Sequence, residues 1–407
     1  MLKNVVIVND FAAVDGGASK VAITTAKILA DIGISVTFFC AVQPIDSDLV
    51  NKNINVICLD QYDILNNPNR LKAITQGLWN TESMKKLSLL IKSLDASSSL
   101  IHIHTWTKAL SSSIWKVFSE SNIPIVLTTH DYFSFCPNGG SYDYVKSKIC
   151  SKKAMTFQCL FTNCDSRNYF QKVWRFLRSM IQSYWLHKVN NFYVLSISQL
   201  NYRLCKSYLD KYVKKWYFLQ NPIDLNKNSP VDIKSYKSYL FLGRLSKEKG
   251  VELFCEAISQ LGLKGIVLGD GYLKESLSKR YPNIIFTGWV SGDKKEKLLN
   301  KGKALVFPSL WYEGAPLTIQ EMKSYGIPCI VPDKCAASEQ IVDGKTGYIF
   351  KTGDLDSLKA AIMKYEQTDL KQMQVNLLDS FHPEDLSRET HLKKLIEIYN
   401  DILSNEK

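Results

Sequence analysis

Short apolar runs alternate with amphipathic stretches along almost the whole chain. Runs of strand length recur at 4–9, 35–41, 55–59, 100–105, 124–130, 192–198 and 215–220. Helical periodicity fills intervals such as 17–32, 81–94 and 107–120. A second series follows at 238–243, 265–269, 284–287, 304–308, 328–331 and 347–350. Continuous apolar strands alternating with helices predict parallel sheets covered on both faces. A polar stretch from Asn221 to Ser235 joins the two series. The chain therefore reads as α/β, with two doubly wound, Rossmann-like domains. The first spans 1–220 with a basic aromatic insertion over about 131–190, and the second spans 221–381. The segment 382–407 reads as one helix, with Pro383 in its first turn and Leu386, Leu392, Leu395, Ile396, Ile398 and Ile402 as contacts, free to pack back on the first domain. Ligands of open α/β sheets bind outside the carboxyl ends of the strands. Two such domains facing each other predict a small-molecule cleft.

With 407 residues, 45% of them hydrophobic and 22% charged, the chain is no disordered tail. The apolar run Val5 to Val8 is too short for a secretory signal, and no stretch of 18 apolar residues occurs. Ten cysteines without such a signal are expected to be reduced thiols in a cytoplasm. Cys40, Cys58, Cys205, Cys255, Cys329 and Cys335 are scattered among apolar neighbours and read as small core residues. Cys136, Cys150, Cys159 and Cys164 fall within 29 residues. Four thiols so close are compatible with a structural zinc site, although the spacing lacks a Cys-x₂-Cys knuckle. The other reading is four reduced thiols in a loop.

Three turns in the second half carry ligand chemistry. Gly243-Arg244-Leu245-Ser246-Lys247-Glu248-Lys249-Gly250 follows a strand directly. Arg binds phosphate in a bidentate fork and Lys adds a point charge. Gly269-Asp270-Gly271 ends the next strand, where glycines permit close backbone approach. The third turn holds Glu313-Gly314-Ala315-Pro316-Leu317, with Glu321 further along. Pro316 suits the first turn of a helix whose free N–H groups favour an anion. Two carboxylates eight residues apart are able to grip hydroxyls at both ends of a nucleotide sugar.

The order Gly-Arg-Leu-x₃-Lys-Gly, Gly-Asp-Gly, Glu-x₇-Glu and Gly-Ile-Pro resembles that of retaining glycosyltransferases of family 4, on the GT-B fold. The resemblance implies that Arg244 and Lys249 neutralise the donor diphosphate and that Glu321 binds the ribose hydroxyls. It implies that Glu313 and the amides of Gly314 to Leu317 hold sugar and phosphate, beside Gly243, Gly269, Asp270 and Gly271. Met322-Lys323 departs from the two small apolar residues frequent in that family.

Two places in the first half are similar to the same family. Gly16-Gly17 opens a helix, as an anion cradle or a plain tight turn. His130 ends the strand 124–129, where the resemblance points it at the transferred sugar, and histidine handles protons near neutrality. His102 and His104 share one strand face and are expected to be structural, with His104 within reach of a cleft mouth.

The formal net charge of +12 is local. From Lys146 to Phe218 there are 14 Lys and Arg against two acids, while the rest of the chain balances at 37 against 37. The same segment holds 16 of the 46 aromatic residues. Over 166–188, Phe170, Val173, Trp174, Leu177, Ile181, Tyr184 and Trp185 fall on one helical stripe. One reading is a core-facing helix with a basic outer face. The other is a membrane or acceptor surface, with Arg167, Lys172, Trp174, Arg175, Arg178 and Trp185 against anionic lipid. No recognition fold supports nucleic acid as partner.

The expected activity is retaining hexosyl transfer from a nucleotide-diphosphate sugar to a lipid-linked glycan in surface polysaccharide assembly. No cofactor is expected to be required, and the place of action is the cytoplasmic, inner face of the cell membrane. The alternatives are a nucleotide-sugar epimerase or hydrolase of the same fold, and a non-catalytic basic binding protein on a degenerate one.

Overall fold

A computed structural model describes residues 2–235 and 237–406. The chain forms two compact units: Met1–Gly140 with Lys152–Pro222 and Arg388–Lys407, and Ser141–Ser151 with Ile223–Ser387. In chain order the first strands are β1 (Asn4–Val8), β2 (Ser35–Cys40), β3 (Ile54–Cys58), β4 (Ser99–Ile103) and β5 (Ile125–Thr128). The two-residue strands β6 (Tyr142–Asp143) and β7 (Lys148–Ile149) form an antiparallel hairpin that groups with the second unit. It departs from the single insertion expected over 131–190. Strands β8 (Phe192–Ser196) and β9 (Lys215–Phe218) complete the first unit.

Its seven strands lie in the order β3-β2-β1-β4-β5-β8-β9, every neighbouring pair parallel. All five residues of β4 are buried, as a strand covered on both faces requires. The helix Gly17–Asp31 presses Ala22, Ile23, Ala26 and Leu29 onto the sheet. The periodic stretch 107–120 is helical only over Ile114–Ser119. The reason is Asp10, whose buried carboxylate accepts from the backbone amides of Lys108, Ala109 and Leu110, each at 2.9 Å. The chain wraps an anion there instead of closing a helical turn.

The final segment divides into a 3₁₀ turn, Pro383–Leu386, and a helix, Arg388–Asn405, which belongs to the first unit. Leu395, Tyr399 and Ile402 are fully buried in that unit's core. Tyr399 also bonds to β4: its hydroxyl lies 2.6 Å from His102 Nδ1, and His102 Nε2 lies 2.7 Å from Thr128 Oγ1 on β5.

The second unit contains β10 (Ser238–Leu242), β11 (Lys264–Leu268), β12 (Ile284–Gly288), β13 (Gly302–Val306), β14 (Cys329–Pro332) and β15 (Gly347–Phe350). They form a parallel sheet in the order β12-β11-β10-β13-β14-β15. In both sheets the first strand lies beside the fourth, which creates the strand-order reversal where doubly wound sheets bind ligands. Among the described residues no helix is long and apolar enough to cross a membrane.

Tyr399→Phe leaves the buried His102 Nδ1 without its partner, and such a loss costs about 1–3 kcal/mol. Urea unfolding followed by circular dichroism is expected to show a lower midpoint. An unchanged midpoint would contradict this fastening.

Candidate active site

The carboxyl ends of β10, β11 and β13 deliver the three ligand-type turns of the second unit. Two of them are locked backbone to backbone: Leu245 N donates to Asp270 O at 2.8 Å, and Gly243 N to Leu268 O at 3.0 Å. A Cβ on Gly269, whose φ is +146°, would lie 1.9 Å from Gly243 O. Gly250, with φ +70°, meets the β13 end just as closely, its Cβ position 1.9 Å from Pro308 O. These glycines therefore serve first to let the turns pack on one another.

Each carboxylate here is tied to a cation. Lys249 Nζ donates to Glu313 Oε1 at 2.6 Å, and Glu313 Oε2 accepts from Ser309 Oγ and Trp311 Nε1. Arg244 is 67% exposed, yet its guanidinium is held at 2.7 Å by the buried Glu248, which also accepts from Ser246 Oγ. Glu321 pairs with Lys295 at 2.5 Å. Glu248 and Lys295 went unrecognised in the sequence, where each looks like one more charge of a polar turn or helix. Beside them lies a cavity of about 570 Å³, bordered by Gly243, Gly269, Trp289, Lys295 and Glu321. Pro316 stands just ahead of the helix Leu317–Ser324 as its N-cap, not inside its first turn, because its ψ of 98° is extended.

In the first unit Gly16 is the N-cap of the helix Gly17–Asp31 and has no side-chain cap. A Cβ on Gly16 or Gly17 would meet nothing within 4 Å, so the chain's own packing does not demand glycine there. His130 Nε2 lies 2.9 Å from Nδ1 of the buried His104, whose Nε2 has no hydrogen-bond partner among the described residues. Burial pushes His130 down to about 3, and His102 likewise. His130 is therefore neutral at physiological pH, a hydrogen-bonding group more than a titrating base. Burial pushes the adjacent Asp131 up to about 6.

Residues 223–377 match the family described as Glycosyl transferases group 1. The matched residues make up most of the second unit. The chain is 27% identical over 172 residues to the UDP-Gal:alpha-D-GlcNAc-diphosphoundecaprenol alpha-1,3-galactosyltransferase of Escherichia coli, covering 36% of this chain and 44% of that protein. It spans less than half the length of the curated relatives it matches. Two solved structures align along nearly the whole chain. Sucrose-phosphate synthase of Thermosynechococcus elongatus gives a TM-score of 0.67 at 18% identity, over 99% of this chain and 100% of that one. Anabaena Alr3699/HepE in complex with UDP gives 0.66 at 15% identity, over 98% and 100%. These likenesses show the fold, and the architecture is GT-B.

In the first unit, the basic aromatic helix, Tyr169–Leu186, is turned opposite to the core-facing expectation. Its buried side carries Lys172, Phe176, Arg178, Ser179, Gln182 and Leu186. Lys172 is 1% exposed, and Arg178 lies between the rings of Phe133 and Trp174 while donating to Thr107 O at 2.8 Å. Arg175 pairs with the buried Asp165. Trp174 donates to Ile74 O and Trp185 packs against Trp79. Of the six residues expected at a membrane or acceptor surface, Arg167 is exposed, Trp174, Arg175 and Trp185 are half-buried, and Lys172 and Arg178 are buried.

Three of the four clustered cysteines, Cys136, Cys159 and Cys164, gather around Lys172. Cys150 groups with the second unit, whereas Cys136, Cys159 and Cys164 are buried in the first. The Lys172 ammonium lies 3.2 Å from Cys159 Sγ, and Asn138 contacts both Cys136 and Cys164. Among the described residues no group of three or more His, Cys, Asp or Glu is arranged to hold a metal ion.

His102, His104, His130 and His391 are all held below their ordinary 6.5 by burial. Below about pH 6.5 the unfolded chain takes up protons that the folded chain refuses, so their contribution is complete above that pH and is lost as pH falls toward about 3. Asp10 and Asp131, raised by burial, work in the opposite sense. With five imidazoles, counting His187, which desolvation also lowers, against two carboxyls, the melting temperature is expected to fall between about pH 7.5 and about pH 5. A flat profile over that range would contradict neutral burial of the histidines.

Proposed function

We propose that the chain is a retaining glycosyltransferase that moves a hexose from a nucleotide-diphosphate sugar to a lipid-linked glycan. The observation that carries this reading is the Lys249–Glu313 pair, 2.6 Å apart at a sheet's carboxyl edge, in the same unit as a nucleoside-sized cavity bordered by Glu321. Glu321 takes the ribose hydroxyls, and Arg244 and Lys249 face the diphosphate. As the bond from the anomeric carbon to the β-phosphate oxygen breaks, negative charge builds on the leaving group. Cations fixed in advance, with the amides that open the helix Leu317–Ser324, stabilise that charge in the transition state. The acceptor hydroxyl bonds to the anomeric carbon on the face the leaving group vacates, and its proton passes to the departing phosphate oxygen. Gly314 and Ala315 supply the turn between Glu313 and that helix. His130, neutral and bonded to His104, orients the sugar from the first unit. The chain's own side chains supply the charge neutralisation, and no cofactor is part of this scheme.

The relative named for a diphosphoundecaprenol substrate supports a lipid-linked acceptor, and the local excess of positive charge supports work at the cytoplasmic membrane face. Its name also carries an alpha linkage, which supports retention when the donor is alpha-linked.

The test supplies a panel of nucleotide sugars together with extracted lipid-linked glycans and follows nucleoside diphosphate release. Lys249→Ala and Arg244→Ala are each expected to lower turnover by about 10²–10³. Unchanged turnover in both variants would overturn the assignment, and inversion of the anomeric centre in the product would overturn retention.

A further inference from the structure

A cavity of about 760 Å³ opens in the first unit, and it shares no lining residue with the cavity of the second unit. Lys153, Lys206 and Lys211 border it, and Asp210 is the one acid among the described lining residues. Asp210 already accepts from Trp216 Nε1 at 2.9 Å. Two of the lysines contact neutral groups: Lys206 Nζ donates to Tyr202 OH at 2.7 Å, and Lys211 Nζ lies 4.6 Å above the Tyr212 ring. The walls are stacked rings, Phe135 on Tyr208 at 4.2 Å and His187 on Tyr212 at 4.0 Å. Ammonium groups over aromatic walls suit a ligand that is anionic at one end and apolar at the other.

The adjoining helix gives a second, independent observation. Its outward side carries Phe170, Leu177, Met180 and Tyr184, with Phe170 86% exposed. Met180 and Tyr184 belong both to this stripe and to the cavity lining. Phe157 and Phe161, exposed to 81% and 73% on the neighbouring short helical turn, extend the apolar surface. An outward apolar stripe is the arrangement of a helix lying in an interface.

We propose that this cavity binds the phosphate headgroup of an anionic bilayer lipid while the outward stripe of the helix Tyr169–Leu186 lies among the acyl chains. Charge favours a lipid over a second copy of the chain. All the net positive charge lies in 146–218, so two copies meeting there would repel. The proposal rests on the membrane-facing part of the function above and does not depend on sugar transfer.

The test floats the full chain with vesicles of phosphatidylcholine alone or mixed with phosphatidylglycerol. Wild type is expected to float with the anionic vesicles, less so at high salt. The triple variant Lys153→Gln, Lys206→Gln, Lys211→Gln is expected to lose on the order of 100-fold in partitioning. Phe170→Ser with Leu177→Ser is expected to weaken flotation while leaving UDP binding, measured by calorimetry, unchanged. Wild type that stays at the bottom of the gradient overturns the proposal, as does a lysine variant that floats normally. So does a soluble dimer dispersed by Phe170→Ser, or stabilisation by inorganic phosphate alone equal to that by vesicles. Flotation in a chain that binds no nucleotide sugar would sink the transferase reading and leave the lipid site standing.

Discussion

A carboxylate taken part-way out of water must be given a cation or several N–H groups, and that requirement organises the second unit. Glu313, Glu321 and Glu248 arise from separate stretches of chain, and Lys249, Lys295 and Arg244 answer them one to one. The Lys249–Glu313 pair joins the turn after β10 to the turn after β13, Lys295–Glu321 joins the helix Gly292–Leu299 to the helix Leu317–Ser324, and Arg244–Glu248 braces the first turn from within. Of the three cations, Arg244 alone is mostly exposed while keeping its acidic partner buried. Under the proposed function, a diphosphate would meet the exposed Arg244 guanidinium and Lys249, whose ion-pair partner among the described residues is Glu313.

The first unit meets the same requirement with backbone and imidazole. Asp10 takes three amides in succession and thereby shapes 107–113. Three histidine rings sit in a row, His102 to His104 at 4.3 Å and His104 to His130 at 5.2 Å, and burial keeps them neutral. A row of charged rings at those distances would repel itself, so neutrality is a condition of the fold as well as of any role at a sugar. The C-terminal helix closes this arrangement through Tyr399.

The sheets were legible because a strand buried on both faces must be continuously apolar, and the thirteen described strands of the two parallel sheets, edge strands included, fall on the apolar runs. Glu313, Glu321, Arg244 and Lys249 were legible because glycine and charge together at strand ends are chemically specific. Their partners were not, since pairing depends on where separate elements meet: Lys295 comes from the helix Gly292–Leu299, far from Glu321 in sequence. The helix Tyr169–Leu186 shows the sharper limit. Its periodicity reveals two faces, but not that the face with Lys172, Arg178 and Gln182 goes inward. That choice was made by the polar groups waiting there, Cys159, Thr107 O and Trp106 Nε1.

The central claim is that the second unit binds a nucleoside diphosphate through placed cations. Isothermal titration of the chain with UDP or GDP, each against its own monophosphate, tests it most directly. One additional charge-assisted phosphate contact contributes about 1.5–3 kcal/mol, so at least one diphosphate is expected to bind at one site and about tenfold or more tighter than its monophosphate. Equal affinity within each pair, or no binding by either diphosphate, would contradict the account.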